Sequence, residues 1–194
     1  MVGKSKQRKH NRRFFKSSIT ILASAMKNMR HSRARLTVKR VTKDAGITRG
    51  AMYYHYKNLD DAIAAGEATI IDEFKAMLNQ RHINTKNTNR QVFLTLFILI
   101  FRHKGVFKHV CEDIGNQGLL YKLVEVAYPQ IEIVWLPVNA SSPRIGSERV
   151  SMYFKIIVEV ICRWGQTTNC DIDKAEPYIK KILKITENAS RYCN

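Results

Sequence analysis

Ten consecutive residues, VFLTLFILIF from Val92 to Phe101, hold nine apolar side chains and no charge. A helix that crosses a bilayer needs about 20 such residues, so this run is too short to span one. It has no polar face either, and a helix that is apolar all round must be buried on every side. The rest of the chain must therefore supply elements that surround it. With 194 residues the chain is long enough to build such a core.

The surrounding elements read as helices. Phe15, Ile19, Leu22, Met26 and Met29 recur at spacings of 4, 3, 4 and 3, one apolar stripe on a helix starting near Asn11. Thr37 is a candidate N-cap for a second helix carrying Val38, Val41 and Ala45 on one face. Gly46 follows where a helix end favours a left-handed residue. Thr48 then caps a short third helix through Tyr54, and Asn58 caps a fourth running toward Leu78, with Asp61 placed as in a capping box. Further helices are expected over about 90–103, 104–113, 117–135, 147–164 and 173–192. Polar or proline-bearing connections lie at 81–91 and 137–146. No segment sustains strand alternation and no repeat is visible, so the expected class is all-α.

Charge separates the chain into two parts. Residues 1–57 carry 16 Lys/Arg against one acid, Asp44, a net +15, while residues 58–194 are close to balanced at +2. The basic residues continue through sequence of helical periodicity, so they decorate a folded unit whose natural partner is a polyanion, most commonly nucleic acid. The four cysteines, Cys111, Cys162, Cys170 and Cys193, form no C-x-x-C pair. The basic start MVGKSKQRKHNRRFFKSS has no apolar core of a signal peptide, so reduced thiols in a cytoplasmic protein are expected, with no membrane association.

Residues 38–57 thus read as helix, tight turn, helix, with Val41, Ala45, Ile47 and Met52 inward. Gly50 is the residue a folding argument does not explain, because glycine inside a helix costs ~1 kcal/mol relative to alanine. A backbone that must approach another molecule closely would justify it. Arg49, Tyr53, Tyr54, His55 and Lys57 surround it with groups that donate to phosphates or base edges, while Tyr56 is expected to pack inward.

The stretch LTVKRVTKDAGITRGAMYYHYKNLDDAI, with the amphipathic helix before it, resembles the DNA-binding domain of the tetracycline-repressor (TetR) family over roughly residues 10–65. The resemblance implies an N-terminal three-helix helix-turn-helix domain and a larger C-terminal helical bundle for ligand binding and dimerisation. It implies a homodimer on double-stranded DNA, with a small-molecule effector. On that basis residues 1–10 are a basic flexible arm, 11–57 the DNA-binding domain, 58–80 a connecting helix and 81–194 the regulatory and dimerisation domain. The family's DNA contacts carry over onto Thr37, Thr48, Arg49, Gly50, Tyr53, Tyr54, His55 and Lys57. Two departures stand out. Thr42 occupies a position where the family usually has alanine, which is compatible if its hydroxyl bonds back to the helix. Leu59 replaces a frequent lysine. More weakly, FRHKGVFKHVCEDIGNQGLLYKLVEV and IIVEVICRWGQ resemble the branch associated with dihydroxyacetone-kinase regulators. Some members of that branch are co-activators, so an adaptor that binds a partner protein is the alternative function.

In the C-terminal part, Phe97, Phe101, Arg102, Phe107, Tyr121 and Trp135 are candidates for lining an effector pocket, with a filled core as the competing fate. Val150, Phe154, Ile157, Ile161 and Trp164 on one helix, and Ile179, Ile182, Leu183 and Thr186 on the last, form stripes expected to pair with a second copy. Burial within one subunit competes for the same stripes. His103, His109, Cys111, Glu112 and Asp113 lie close together but match no metal-site spacing, and no glycine-rich phosphate loop is present. No metal, cofactor or catalytic group is expected, and an enzyme is the weakest of the functional classes.

Overall fold

The computed structural model describes residues 17–29, 36–80, 88–113, 116–131 and 143–191, and all regular structure among them is helical. In chain order the helices are α1 (17–29), α2 (Val38–Asp44), α3 (Arg49–His55), α4 (Leu59–Gln80), α5 (Thr88–Arg102), α6 (Lys104–Glu112), α7 (Gly118–Ala127), α8 (Pro143–Thr168) and α9 (Glu176–Arg191). The basic arm 1–10 and the first turns of the expected α1, including Phe15, lie outside the described residues.

α5 is the centre of the main core but is not buried on every side: Leu94 and Ile98 are half-buried and Phe101 is exposed along one face. Val92, Phe93, Thr95, Leu96, Phe97, Leu99 and Ile100 are all buried, and Thr95 is accommodated by donating its hydroxyl to the Gln91 carbonyl at 2.7 Å. The main core assembles around it from α1, α4, α6, α7, α8 and α9. Trp164 of α8 is fully buried against Phe97, ring centroids 4.5 Å apart, and its Nε1 donates to the Asp171 carbonyl at 2.9 Å.

A second, smaller core holds Ile21 and Ala25 of α1, Val41 of α2, Met52 of α3, Tyr56 just past the end of α3, and Ala62 of α4. Leu59, Ile63 and Ala65 pack against it, so this core reaches past the boundary expected at residue 57. α4 serves both cores through its geometry. Its buried residues Ala62, Gly66, Ile70, Phe74 and Leu78 are four apart. Each such step advances about 40° around a helix of 3.6 residues per turn, so the buried stripe wraps from one core to the other. α1 also divides: Ile21 and Ala25 face the small core, Leu22 and Met26 the large one. The single stripe expected from the sequence is thus one of two buried faces. The two helices cross closely at Gly66, where a Cβ would lie 2.8 Å from Leu22 Cβ and 2.8 Å from the Ser18 carbonyl oxygen.

Several boundaries differ from expectation. The helix expected over 117–135 ends at Ala127 and tightens into a 3-10 turn, Tyr128–Gln130. Pro129 sits in that turn and cannot donate the backbone bond that continued α-helix requires. α8 runs on past Trp164 to Thr168. The last helix starts at Glu176 because Asp171 first caps a short 3-10 turn, Ile172–Lys174, by accepting from the Asp173 N–H at 3.2 Å.

Candidate nucleic-acid interface

α2 and α3 are set by their caps. Thr37 Oγ1 accepts from the Arg40 N–H at 3.3 Å, and Thr48 Oγ1 accepts from the Ala51 N–H at 3.0 Å. Each satisfies one of the free donors at a helix start. α2 ends on Gly46, whose φ of 67° lies in the left-handed region. Around it the Ile47 N–H bonds to the Thr42 carbonyl at 3.0 Å and the Gly46 N–H to the Lys43 carbonyl at 3.2 Å. That pair of bonds is a Schellman motif, which turns the chain sharply into α3. Thr42 is buried, and its hydroxyl donates to the Val38 carbonyl at 2.7 Å. The buried hydroxyl is therefore satisfied within its own helix.

α3 is anchored on one side by Met52, with Tyr56 just beyond its end, both buried in the small core. The other side faces out. Arg49 and Gly50 are exposed, Tyr53 is 55% exposed and Tyr54 79%. Large aromatic rings at this exposure do not stabilise the fold by burial. A Cβ on Gly50 would meet only Thr48 Oγ1, at 4.0 Å. Within this chain alanine would fit there as well as glycine. His55 is half-buried, its ring edge-on to Tyr54 with centroids 4.8 Å apart. Tyr56 is buried as expected, and burial raises its phenol pKa, against the opposing effect of a hydrogen bond with Ser18.

Thr37, Thr48 and Lys57 are exposed at the helix junctions. The Lys57 N–H donates to Asp61 Oδ2 at 3.1 Å, and Asn58 Oδ1 accepts from the Asp61 N–H at 2.8 Å. The forward bond of the cap expected at the start of α4 is thus standard, while the return bond goes to the N–H one residue before Asn58. Leu59 is half-buried against the small core.

The one acid of residues 1–57 is engaged internally. Asp44 Oδ2 accepts from Asn28 Nδ2 at 2.8 Å and lies 3.9 Å from Lys27 Nζ, tying α2 to α1. Lys39 and Arg40, which the sequence reading did not single out, stand exposed in the first turn of α2. Cations there oppose the positive end of the helix dipole, a signal that fold stability did not select them.

No protein-family model and no curated protein matches this sequence.

The other expected sites fare differently. The pocket candidates do not converge. Phe97 and Phe107 are fully buried in the main core, and Tyr121 is half-buried against it. Phe101 is exposed beneath Lys104, whose Nζ is 5.8 Å from the ring centroid, and exposed Arg102 bonds to Glu73 at 3.1 Å. Trp135 lies outside the described residues. Of the expected dimer stripes, Ile157, Ile161, Trp164, Ile179, Ile182 and Thr186 are buried within the single chain. The chain's own helices cover them, so they offer no surface to a second copy. Phe154 and Leu183 are half-buried against the main core, and the side chain of Val150 lies outside the described residues. Among the described side chains of α8, the exposed large apolar groups are instead Met152 and Ile156, one turn apart.

His103 Nε2 is 2.7 Å from Glu73 Oε2, and His109 Nδ1 is 3.3 Å from Glu112 Oε2. Among the described residues no three His, Cys, Asp or Glu side chains gather as a metal site. No described helix is long and apolar enough to cross a membrane.

Proposed function

We propose that the protein is a sequence-specific DNA-binding transcriptional regulator of the tetracycline-repressor type, with α2, the Gly46 turn and α3 as its helix-turn-helix. The observation that carries this reading is the outer face of α3. Arg49, Gly50, Tyr53 and Tyr54 are exposed together, opposite a buried Met52, on a unit of net charge +15. α3 would lie in the major groove with Arg49 at base edges, where an arginine can bond two acceptors of a guanine. Gly50 would let the backbone come close, and Thr37, Tyr53, Tyr54, His55 and Lys57 would hold phosphates, with Lys39 and Arg40 adding positive charge. Two copies would read the halves of a pseudo-palindromic operator.

Selection from a random double-stranded DNA pool tests this. An enriched motif is expected, with affinity falling steeply as salt rises because phosphate contacts release counterions. A pool with no enrichment, or affinity insensitive to salt, would overturn the proposal.

In a second reading, the larger helical bundle serves a partner protein in place of a small-molecule effector. The fate of the pocket candidates favours it: two are core, and two stand on the surface. Release of a selected operator by a small molecule would argue against this second reading and leave the DNA-binding proposal intact.

A further inference from the structure

Three cysteines meet where the end of α6 abuts the last turns of α8. Cys111 is next to last in α6, Cys162 lies within α8 and Cys170 lies just past its end; all three are free thiols and buried. Gly165 opens the space between them. A Cβ at that position would sit 2.7 Å from Cys111 Sγ and 3.4 Å from Cys170 Sγ, so both sulfurs crowd one point that only glycine leaves vacant. We propose that Cys111 and Cys170 are the two halves of an intramolecular disulfide, formed when the protein meets a hydroperoxide.

The backbone around Cys170 supports this. Asn169 and Cys170 have φ values of 53° and 56°, two successive non-glycine residues in the left-handed region. L-residues adopt that conformation reluctantly. The reversal is held by the Cys170 N–H on the Gly165 carbonyl at 3.3 Å and the Asp171 N–H on the Thr168 carbonyl at 3.2 Å. It turns the thiol inward onto the cluster. Filling a core with a small apolar group would not require it.

The thiols are also unequal. Cys111 hydrogen-bonds to Cys162 and Cys170, which together with burial raises its pKa and keeps its proton in place. Cys170 is shifted the other way: the Cys111 hydrogen bond lowers its pKa, with help from Lys104 and Lys108, while burial and Glu112 oppose. Cys162 has a second partner besides Cys111, since Gln117 Nε2 donates to its sulfur at 3.3 Å. Cys170 is therefore the nucleophile and Cys111 the thiol that resolves it.

The chemistry balances in two steps. The Cys170 thiolate attacks the terminal oxygen of the hydroperoxide and the O–O bond breaks. The alcohol, or water from hydrogen peroxide, leaves with the displaced proton, and Cys170 becomes a sulfenic acid. Cys111 sulfur then attacks the Cys170 sulfur, the S–O bond breaks, and hydroxide leaves as water with the Cys111 proton. Two thiols and one hydroperoxide give one disulfide, one alcohol or water, and one water. Cys111 and Cys170 are both buried, so the hydroperoxide would reach them only on local opening of the reversal, whose Asn169 is exposed.

The site does not depend on what α3 binds, and its test uses the full chain alone. The protein is treated with graded hydrogen peroxide at neutral pH, quenched with an alkylating reagent, digested without reduction and mapped by mass spectrometry. The expected product is a Cys111–Cys170 linked peptide, two fewer free thiols per chain, and full recovery with dithiothreitol. Cys162→Ala should still form the link, and Cys170→Ser should lose it while keeping the helical circular-dichroism spectrum. If Cys170→Ser does not fold, the wild-type chain in urea replaces it, where the Cys111–Cys170 link should give way to mixed pairings. Thiols that stay free or pass only to sulfinic acids would overturn the proposal. So would a dominant link to Cys162 or Cys193, or an equal Cys111–Cys170 yield in urea.

Discussion

Replacing Gly50 with alanine separates what the fold needs from what a bound partner needs. Gly50 is exposed in the first turn of α3, with only Thr48 Oγ1 at 4.0 Å from where the new methyl would sit. Nothing in the chain resists the change, and φ there is not in the left-handed region. Alanine should therefore stabilise the helix by about 0.5–1 kcal/mol, the usual difference between the two residues in a helix. For a protein of this size, that raises Tm by roughly 1–4 °C. On DNA the sign reverses. The methyl projects roughly 1.5 Å from the backbone, enough to push a closely approaching phosphate out of hydrogen-bond range. Losing one charge-assisted bond costs about 1.5–3 kcal/mol, or roughly 10- to 100-fold in affinity for each subunit. Thermal melts and fluorescence-anisotropy titrations on the pool-selected duplex measure both quantities on one preparation. A variant that is more stable and binds DNA as well as the wild type would refute the argument that Gly50 faces a partner. One that is less stable would refute the packing argument.

Other substitutions probe separate contributions. Arg49→Ala should relax the selected motif at one base position, by about 1–3 kcal/mol, as read by repeating the pool selection. Lys57→Ala should weaken binding to any sequence and lower the salt slope by about one, whereas Leu59→Lys should lower Tm, because Leu59 is half-buried against the small core. Gly66→Ala drives a methyl to 2.8 Å from Leu22 and the Ser18 carbonyl, and urea unfolding should show a loss of about 1–3 kcal/mol. Ile157→Asp places a charge in the main core, so unfolded or insoluble protein is expected, and a folded monomer by analytical ultracentrifugation would contradict its burial.

The parts legible in the sequence were those decided by local chemistry. Thr37, Thr48 and Asn58 cap because a short oxygen-bearing side chain beside free N–H groups has one good use, and each does so. Gly46 takes the left-handed turn, and Tyr56 turns inward while its neighbours Tyr53 and Tyr54 do not. What stayed hidden depends on tertiary surroundings. A stripe such as Ile157, Ile161 and Trp164 records that something covers it, without recording whether the cover belongs to the same chain. Phe97 and Phe101 are one helical turn apart and of one type, yet one is core and the other surface. The two-sided burial of α1 was missed because a single stripe presumes a single core. The cysteine cluster had no spacing signature, since Cys111 reaches Cys162 and Cys170 only through the packing of α6 on α8.

The sharing of α1 and α4 between the two cores bears on how the molecule melts. Ile21 and Leu22 are adjacent residues locked into different cores, and Ala62 and Ile70 do the same two turns apart on α4. Neither core can dissolve without freeing helices that wall the other. Unfolding should therefore be one cooperative transition, with calorimetric and van't Hoff enthalpies in agreement, although the charge distribution divides the chain sharply in two. A fragment ending at residue 57 would keep the basic residues but lose Ala62 and the packing of Leu59, Ile63 and Ala65, and it should not fold alone.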